Sequence, residues 1–179
     1  VEAPESNVPA VVETEIDPLA AQVALVKGGA DALSELRLQF SDAIEEVIVH
    51  NGELTVYVRR DAIVPVCRFL RDDPKLLFNL LSDLTAVDRG IDEEPRFETV
   101  YHLFSIANGF RLRLKARIPE EDCEIATVSG VWPTADWLER ETYDLMGIRF
   151  TNHPDLRKIL TPDDLEGHPL RKDFPLQGY

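Results

Sequence analysis

Apolar residues recur along this chain at two different periods, and the change of period marks its parts. Leu19, Val23, Val26, Ala30 and Leu33 follow helical spacing, with Gly28-Gly29 dividing or ending the helix. The period then drops to two. Val47, Val49, Leu54, Val56 and Val58 flank Asn51-Gly52, a pair that tolerates the positive φ angles of a type I′ turn. This predicts a hairpin with strands over 44–50 and 53–59. Asp61 is placed to cap a helix running to Arg71, with Ile63, Val66, Cys67 and Leu70 on one face and Pro65 in its first turns. Cys67 then reads as a packing residue. Residues 76–87 are apolar and fit a short helix or a strand. After a charged loop, Arg89 to Pro95, two more strands are expected at Arg96–Ile106 and Phe110–Ile118, joined around Asn108-Gly109.

The last of these strands alternates cleanly. Arg111, Arg113, Lys115 and Arg117 point one way, and Leu112, Leu114, Ala116 and Ile118 the other. Four cations on one strand face repel each other, so they are expected to meet solvent, the chain's own acids or an acidic partner. A helix follows from Pro133 to Met146, closed by Gly147. It places Leu138, Glu141 and Leu145 on one face, so Glu141 is expected to need a partner, while Arg140 and Asp144 form an i,i+4 pair on a more exposed face. From Thr151 onward, prolines at 154, 162, 169 and 175 preclude long regular elements. The fold class is α+β: a mainly antiparallel sheet covered by helices, with an extended carboxyl-terminal strap. Residues 1–18 form an acidic mobile arm, 19–150 the α+β domain and 151–179 the tail.

Charge narrows the partners. A net charge of -14 disfavours nucleic acid and anionic membrane surfaces. No apolar run approaches the roughly 20 residues needed to span a bilayer, and VEAPESNVPA lacks the segments of a secretory signal, so membrane contact is expected only through partners. Cys67 and Cys123 form no CxxC pair, consistent with free thiols in a reducing compartment, and two isolated cysteines cannot ligate an ordinary iron–sulfur cluster. No glycine-rich loop offers a phosphate cradle. His153 and His168 with Asp155 or Asp173 supply metal-ligand chemistry, but at no zinc spacing. Glu139, Glu141 and Asp144 with His153 supply acid–base groups, but no nucleophile or oxyanion hole accompanies them.

The tail carries the most specific signal. Two His-Pro units and two basic pairs fall within residues 153–172, interspersed with Leu156, Ile159, Leu160, Leu165, Leu170 and Phe174. Such a ribbon holds one shape only against a surface, its own domain or another chain, and Arg157 and Arg171 suit bidentate pairing with carboxylates there. The run from Leu138 to Gly178 closely resembles the signature of the 30-kDa subunit family of complex I, the C-type subunit of bacterial NADH:quinone oxidoreductase. It meets that pattern at Glu139, Arg140, Glu141, Asp144, Gly147, Phe150, His153 to Arg157, Gly167 to Asp173, Phe174 and Pro175.

The resemblance implies an α+β subunit without independent catalysis or its own cofactor, with FMN and iron–sulfur clusters in partner subunits. It implies a place in the hydrophilic arm beside the quinone-site subunit (the 49-kDa or D-type subunit) and adjacent iron–sulfur subunits. That arm lies on the cytoplasmic face of the bacterial membrane, or the matrix side in mitochondria. Related chains in membrane-bound hydrogenases and other-donor complexes are the alternative. The candidate interface residues are Arg111, Arg113, His153, Asp155, Arg157, His168, Arg171, Lys172, Asp173 and Phe174.

Overall fold

The computed structural model describes residues 17–175. The acidic arm lies outside the described residues except for Asp17 and Pro18. Asp17 caps α1 (Pro18–Leu25), accepting from the Leu19 N–H at 3.0 Å. Gly28, at φ 72°, separates α1 from α2 (Gly29–Phe40), and a Cβ there would strike the Phe110 ring. The hairpin forms as expected from β1 (Ile44–His50) and β2 (Glu53–Val58), with Asn51 at φ 49° and Gly52 at φ 76°.

Asp61 does not cap the next helix. It sits in a 3₁₀ turn, Arg60–Ala62, with its carboxylate on Arg59, and α3 (Ile63–Asp72) starts without a side-chain cap. Its apolar face is the expected one: Ile63, Val66, Cys67 and Leu70 are fully buried. The ambiguous 76–87 segment resolves into an irregular stretch, with Leu77 at φ 48°, followed by strand β3 (Leu80–Asp88). Then come β4 (Phe97–Ser105), β5 (Phe110–Ile118), the short β6 (Glu124–Ala126), α4 (Ala135–Met146) and β7 (Arg149–Thr151).

The main sheet has the order β1-β2-β5-β4-β3, and β6 pairs with β7 in a second, two-stranded sheet. Adjacent pairs in the main sheet are antiparallel except β2–β5, which run parallel with Val56 opposite Leu114. Parallel neighbours require a crossover connection, supplied here by the segment through α3, β3 and β4. One sheet face carries Val56, Leu114, Tyr101 and Leu84. They join a single core with Leu33 and Leu36 of α2 and Ile63, Val66 and Leu70 of α3. The opposite face carries the cation stripe of β5. No helix of the described residues is long and apolar enough to cross a membrane.

Candidate functional site: the carboxyl-terminal strap

The last turn of an α-helix leaves four carbonyls without helical partners. In α4 these belong to Tyr143, Asp144, Leu145 and Met146. Gly147, in the left-handed conformation at φ 74°, returns its N–H to the Tyr143 carbonyl at 2.9 Å. The other three are met by the strap. His168 Nδ1 lies 2.9 Å from the Asp144 carbonyl, the Leu170 N–H donates to Leu145 at 3.0 Å, and Arg171 Nε donates to Met146 at 2.7 Å. The Gly-His-Pro-Leu-Arg segment is thus a helix cap supplied from 24 to 25 residues downstream in the sequence. It works only because Gly147 lacks a side chain: a Cβ there would collide with the His168 ring and the Arg171 guanidinium.

The helix returns the arrangement through Asp144, whose carboxylate is fully buried. It accepts from three consecutive strap amides, Ile159, Leu160 and Thr161, at 3.0, 2.7 and 2.9 Å, and from the Thr161 hydroxyl. Burial alone would raise its pKa. The Thr161 hydroxyl and the three N–H groups outweigh burial and hold it at about 2. The expected Arg140–Asp144 surface pair is therefore replaced. Arg140 donates to the Arg157 carbonyl instead.

Glu141 also departs from expectation. It is exposed, and Glu139 joins Asp144 as a buried carboxylate of α4. The buried positions are Ala135, Glu139, Thr142 and Asp144, while Leu138 and Leu145 are only half-buried, and the helix packs chiefly along β3. Glu139 accepts from the Val128 N–H at 2.7 Å and the Thr127 hydroxyl. Burial pushes its pKa up to about 7 against these hydrogen bonds. His153 roots the strap beside it, its imidazole fully covered. Nε2 lies 3.2 Å from the Asp136 carbonyl and 3.7 Å from Glu139 Oε2, while Nδ1 accepts from the Asp155 N–H at 3.1 Å. These bonds together require the Nε2–H tautomer.

A second anchor ties the strap's far end to the sheet. Arg96 precedes β4 and is 1% exposed. It grips Asp88 at the end of β3 with two bonds, at 3.1 and 2.8 Å, meets Asp173 of the strap at 2.9 Å, and reaches Glu120 at 2.5 Å. Asp88 also accepts from the Lys172 N–H at 2.8 Å and the Gly90 N–H at 2.9 Å. The Arg96 guanidinium and these amides hold the Asp88 carboxyl at about 2. Arg96 also keeps Asp173 below the usual carboxylate range. Neither Arg96 nor Asp88 stood out in the sequence. The available signal was an arginine opening an alternating strand eight residues after an aspartate that ends another.

The candidate interface residues thus divide. His153, His168, Arg171, Asp173 and the Lys172 backbone hold the strap on its own domain. Arg171 meets a carbonyl and lies 4.8 Å from the Phe97 ring centre, not in the expected bidentate carboxylate pair. The Phe174 N–H donates to the Arg171 carbonyl at 3.1 Å, closing the last turn of the strap. Arg157 is exposed, with Asp155 at 3.0 Å as its ion-pair partner. On the stripe, Arg113 pairs with Glu53, Lys115 with Glu98, and Arg117 with Glu45 and Glu46, while Arg111 lies 5.5 Å from the Phe104 ring centre. Among the described residues no group of three or more His, Cys, Asp or Glu side chains is arranged to hold a metal ion. Glu139, Glu141 and Asp144 do not converge on one cleft. Cys67 is fully buried, which raises its thiol pKa.

Fold and site define a small α+β domain that fastens an extended tail across its own helix end and sheet edge. The family described as respiratory-chain NADH dehydrogenase, 30 Kd subunit, matches residues 56–179. The C-type subunit of the NADH-quinone oxidoreductase of Geobacter sulfurreducens is 56% identical over 147 residues, covering 82% of this chain and 90% of that relative. The corresponding NADH-quinone oxidoreductase subunit from Roseiflexus sp. is 51% identical over 147 residues, covering 82% and 84%. Among solved structures, a trypsin-resistant fragment (1-134) of Nqo5 is similar at TM-score 0.59 and 31% identity, covering 70% of this chain and 97% of that one. A chain of the membrane-bound sulfane sulfur reductase, an archaeal respiratory membrane complex, is similar at TM-score 0.70 and 27% identity, covering 83% and 86%. This chain belongs to the 30-kDa subunit family of respiratory-chain NADH dehydrogenase.

Proposed function

We propose that the chain is a non-redox assembly subunit of the hydrophilic arm of a respiratory NADH:quinone oxidoreductase. In this reading the arm lies at the cytoplasmic face of the membrane, and the chain reaches the membrane only through its partners. FMN and the iron–sulfur clusters reside in partner subunits, and the chain sits beside the quinone-site subunit and adjacent iron–sulfur subunits. The complex passes electrons from NADH to quinone and couples this to ion translocation; the chain contributes ordered surface. The observation that carries the reading is the 56% identity with an NADH-quinone oxidoreductase subunit over 82% of the chain. The strap adds a physical reason. Its signature residues fix its shape, and a preordered ribbon loses less conformational entropy on meeting a neighbour. The exposed Arg157, Leu160 and Leu170 are then the groups it presents.

Purification of the tagged chain from detergent-solubilised membranes is expected to bring with it an assembly containing flavin and iron–sulfur clusters. Recovery of the chain alone, or with soluble partners only, defeats the reading. Arg157→Ala is expected to weaken that association by about 2 kcal/mol, as loss of a buried interfacial charge does. The likeness to the sulfane sulfur reductase complex favours a second reading, a homologous subunit of a complex using another electron donor or acceptor. NADH oxidation by the purified assembly separates the two.

A further inference from the structure

Three of the four cations on β5 have carboxylates of their own. Arg113 pairs with Glu53, Lys115 with Glu98, and Arg117 with Glu45 and Glu46. Arg111 is exposed, and among the described residues it meets no carboxylate, in a chain that carries 33 acids against 19 Lys plus Arg. It lines a small cleft with Glu53, Ser82, His102, Phe104 and Arg113. Burial first, and then the neighbouring Arg113, lower the His102 pKa against the opposing pull of Asp83 and Glu53. Glu53 is already paired with Arg113, so among the described residues Arg111 is the cleft's cation without a carboxylate.

Ser82 also lines a second, shallow groove, and the two adjoin there. This groove runs between the edge strand β3 and the start of α4, and Leu80, Leu81, Pro133, Trp137 and Leu138 form its walls. Trp137 is 68% exposed. The sheet register sets the spacing. Leu80 pairs with Phe104 and Phe104 with Arg111, so Arg111 stands two strands, about 10 Å, from the apolar groove. Tryptophan and arginine are both among the residue types enriched where binding energy concentrates.

We propose that this composite surface, the Trp137 groove with Arg111 at its side, is a docking site for an acidic, apolar segment of a partner subunit. Its apolar side chains seat on Trp137, Leu80 and Leu138, and a carboxylate about two strand spacings away pairs with Arg111. The missing acid of the β5 stripe comes from the partner. The site lies apart from the strap's own anchors and faces a different end of the sheet from Asp88 and Arg96. The proposal rests on the reading of the chain as a complex subunit but assigns a surface that reading does not.

The test uses the assembled complex. Wild-type and variant chains carrying different tags are co-expressed, and their ratio is read in the purified flavin-containing assembly. Trp137→Ala is expected to be depleted about 30-fold, the loss that truncating a central interface tryptophan brings, with Trp137→Phe largely retained. Arg111→Glu is expected to be depleted at least about tenfold and Arg111→Lys little, because a like charge at a complementary contact is strongly disfavoured. Hydroxyl-radical oxidation of Trp137 should be rapid in the free chain and suppressed in the complex. Equal incorporation of all four variants, or equal oxidation in both states, overturns the proposal while leaving the subunit reading intact. Suppressed oxidation in the free chain at raised concentration assigns the groove to a second copy and also overturns it. Absence of the wild-type chain from any such assembly removes the subunit reading itself, and the proposal with it.

Discussion

Val56, Leu114 and Tyr101 sit in three neighbouring strands and are wholly buried, whereas no residue from Asn152 to Pro175 is buried as a whole. The sheet coheres by apolar area removed from water, spread over many side chains. The strap has little such area. It is held by a few charged and carbonyl groups, chiefly the Asp144 carboxylate, the end of α4 and the Arg96 cluster. An irregular ribbon therefore becomes as well placed as a strand, but its order is concentrated in a few bonds and is correspondingly easy to remove.

The largest effect should come from the residue that joins the two regions. Arg96→Ala strands Asp88 in the interior and releases Asp173. It is expected to cost about 3–5 kcal/mol in thermal or denaturant unfolding and to open the strap to trypsin. Leu114→Ala should cost about 2–5 kcal/mol as a core cavity, but without selective exposure of the strap, so hydrogen exchange at residues 159–161 should change only as much as the core's.

Acidity separates the regions further. Glu139 has a folded pKa of about 7, raised above its ordinary 4.5, so its contribution is fully present below 4.5 and lost as pH rises through 7. Unfolding free energy should fall by at most roughly 3 kcal/mol over that window, and Glu139→Gln should flatten the slope. Asp144 and Asp88 behave oppositely. Their folded values of about 2 lie below the ordinary 3.8, so their contribution is present above 3.8 and lost as pH falls through 2. Strap amides should then lose exchange protection in acid before sheet amides do. The smallest of the four effects is expected from Asp144→Asn, about 1.5–3 kcal/mol, read as faster exchange at 159–161 with the sheet spectrum unchanged.

The same contrast governs what the sequence alone made legible. Period-two alternation in β5 and the Asn51-Gly52 turn were readable because each depends on residues close in the chain. Gly28 and Gly147 marked helix boundaries for the same reason. The parallel β2–β5 pairing was not legible, since it joins strands more than 50 residues apart with no local mark of direction. The tail was identifiable by its likeness to a family and by its need for a surface. Its chemistry was not, because a carbonyl at a helix end has no sequence signature. Reading α4 by its leucines selected Glu141, whereas the face that is buried carries Glu139, whose partners Thr127 and Val128 lie in the distant β6–α4 loop. Arg171, expected to seek a carboxylate, answers a helix terminus instead.

At position 147 the His168 ring and the Arg171 guanidinium occupy the volume where any residue other than glycine would carry its first side-chain carbon. A single methyl group would work as a wedge in a latch, keeping the tail from seating while the sheet folds undisturbed. Gly147→Ala would thus yield a domain with its ribbon undone, a direct way to learn which neighbour, if any, needs the ribbon closed.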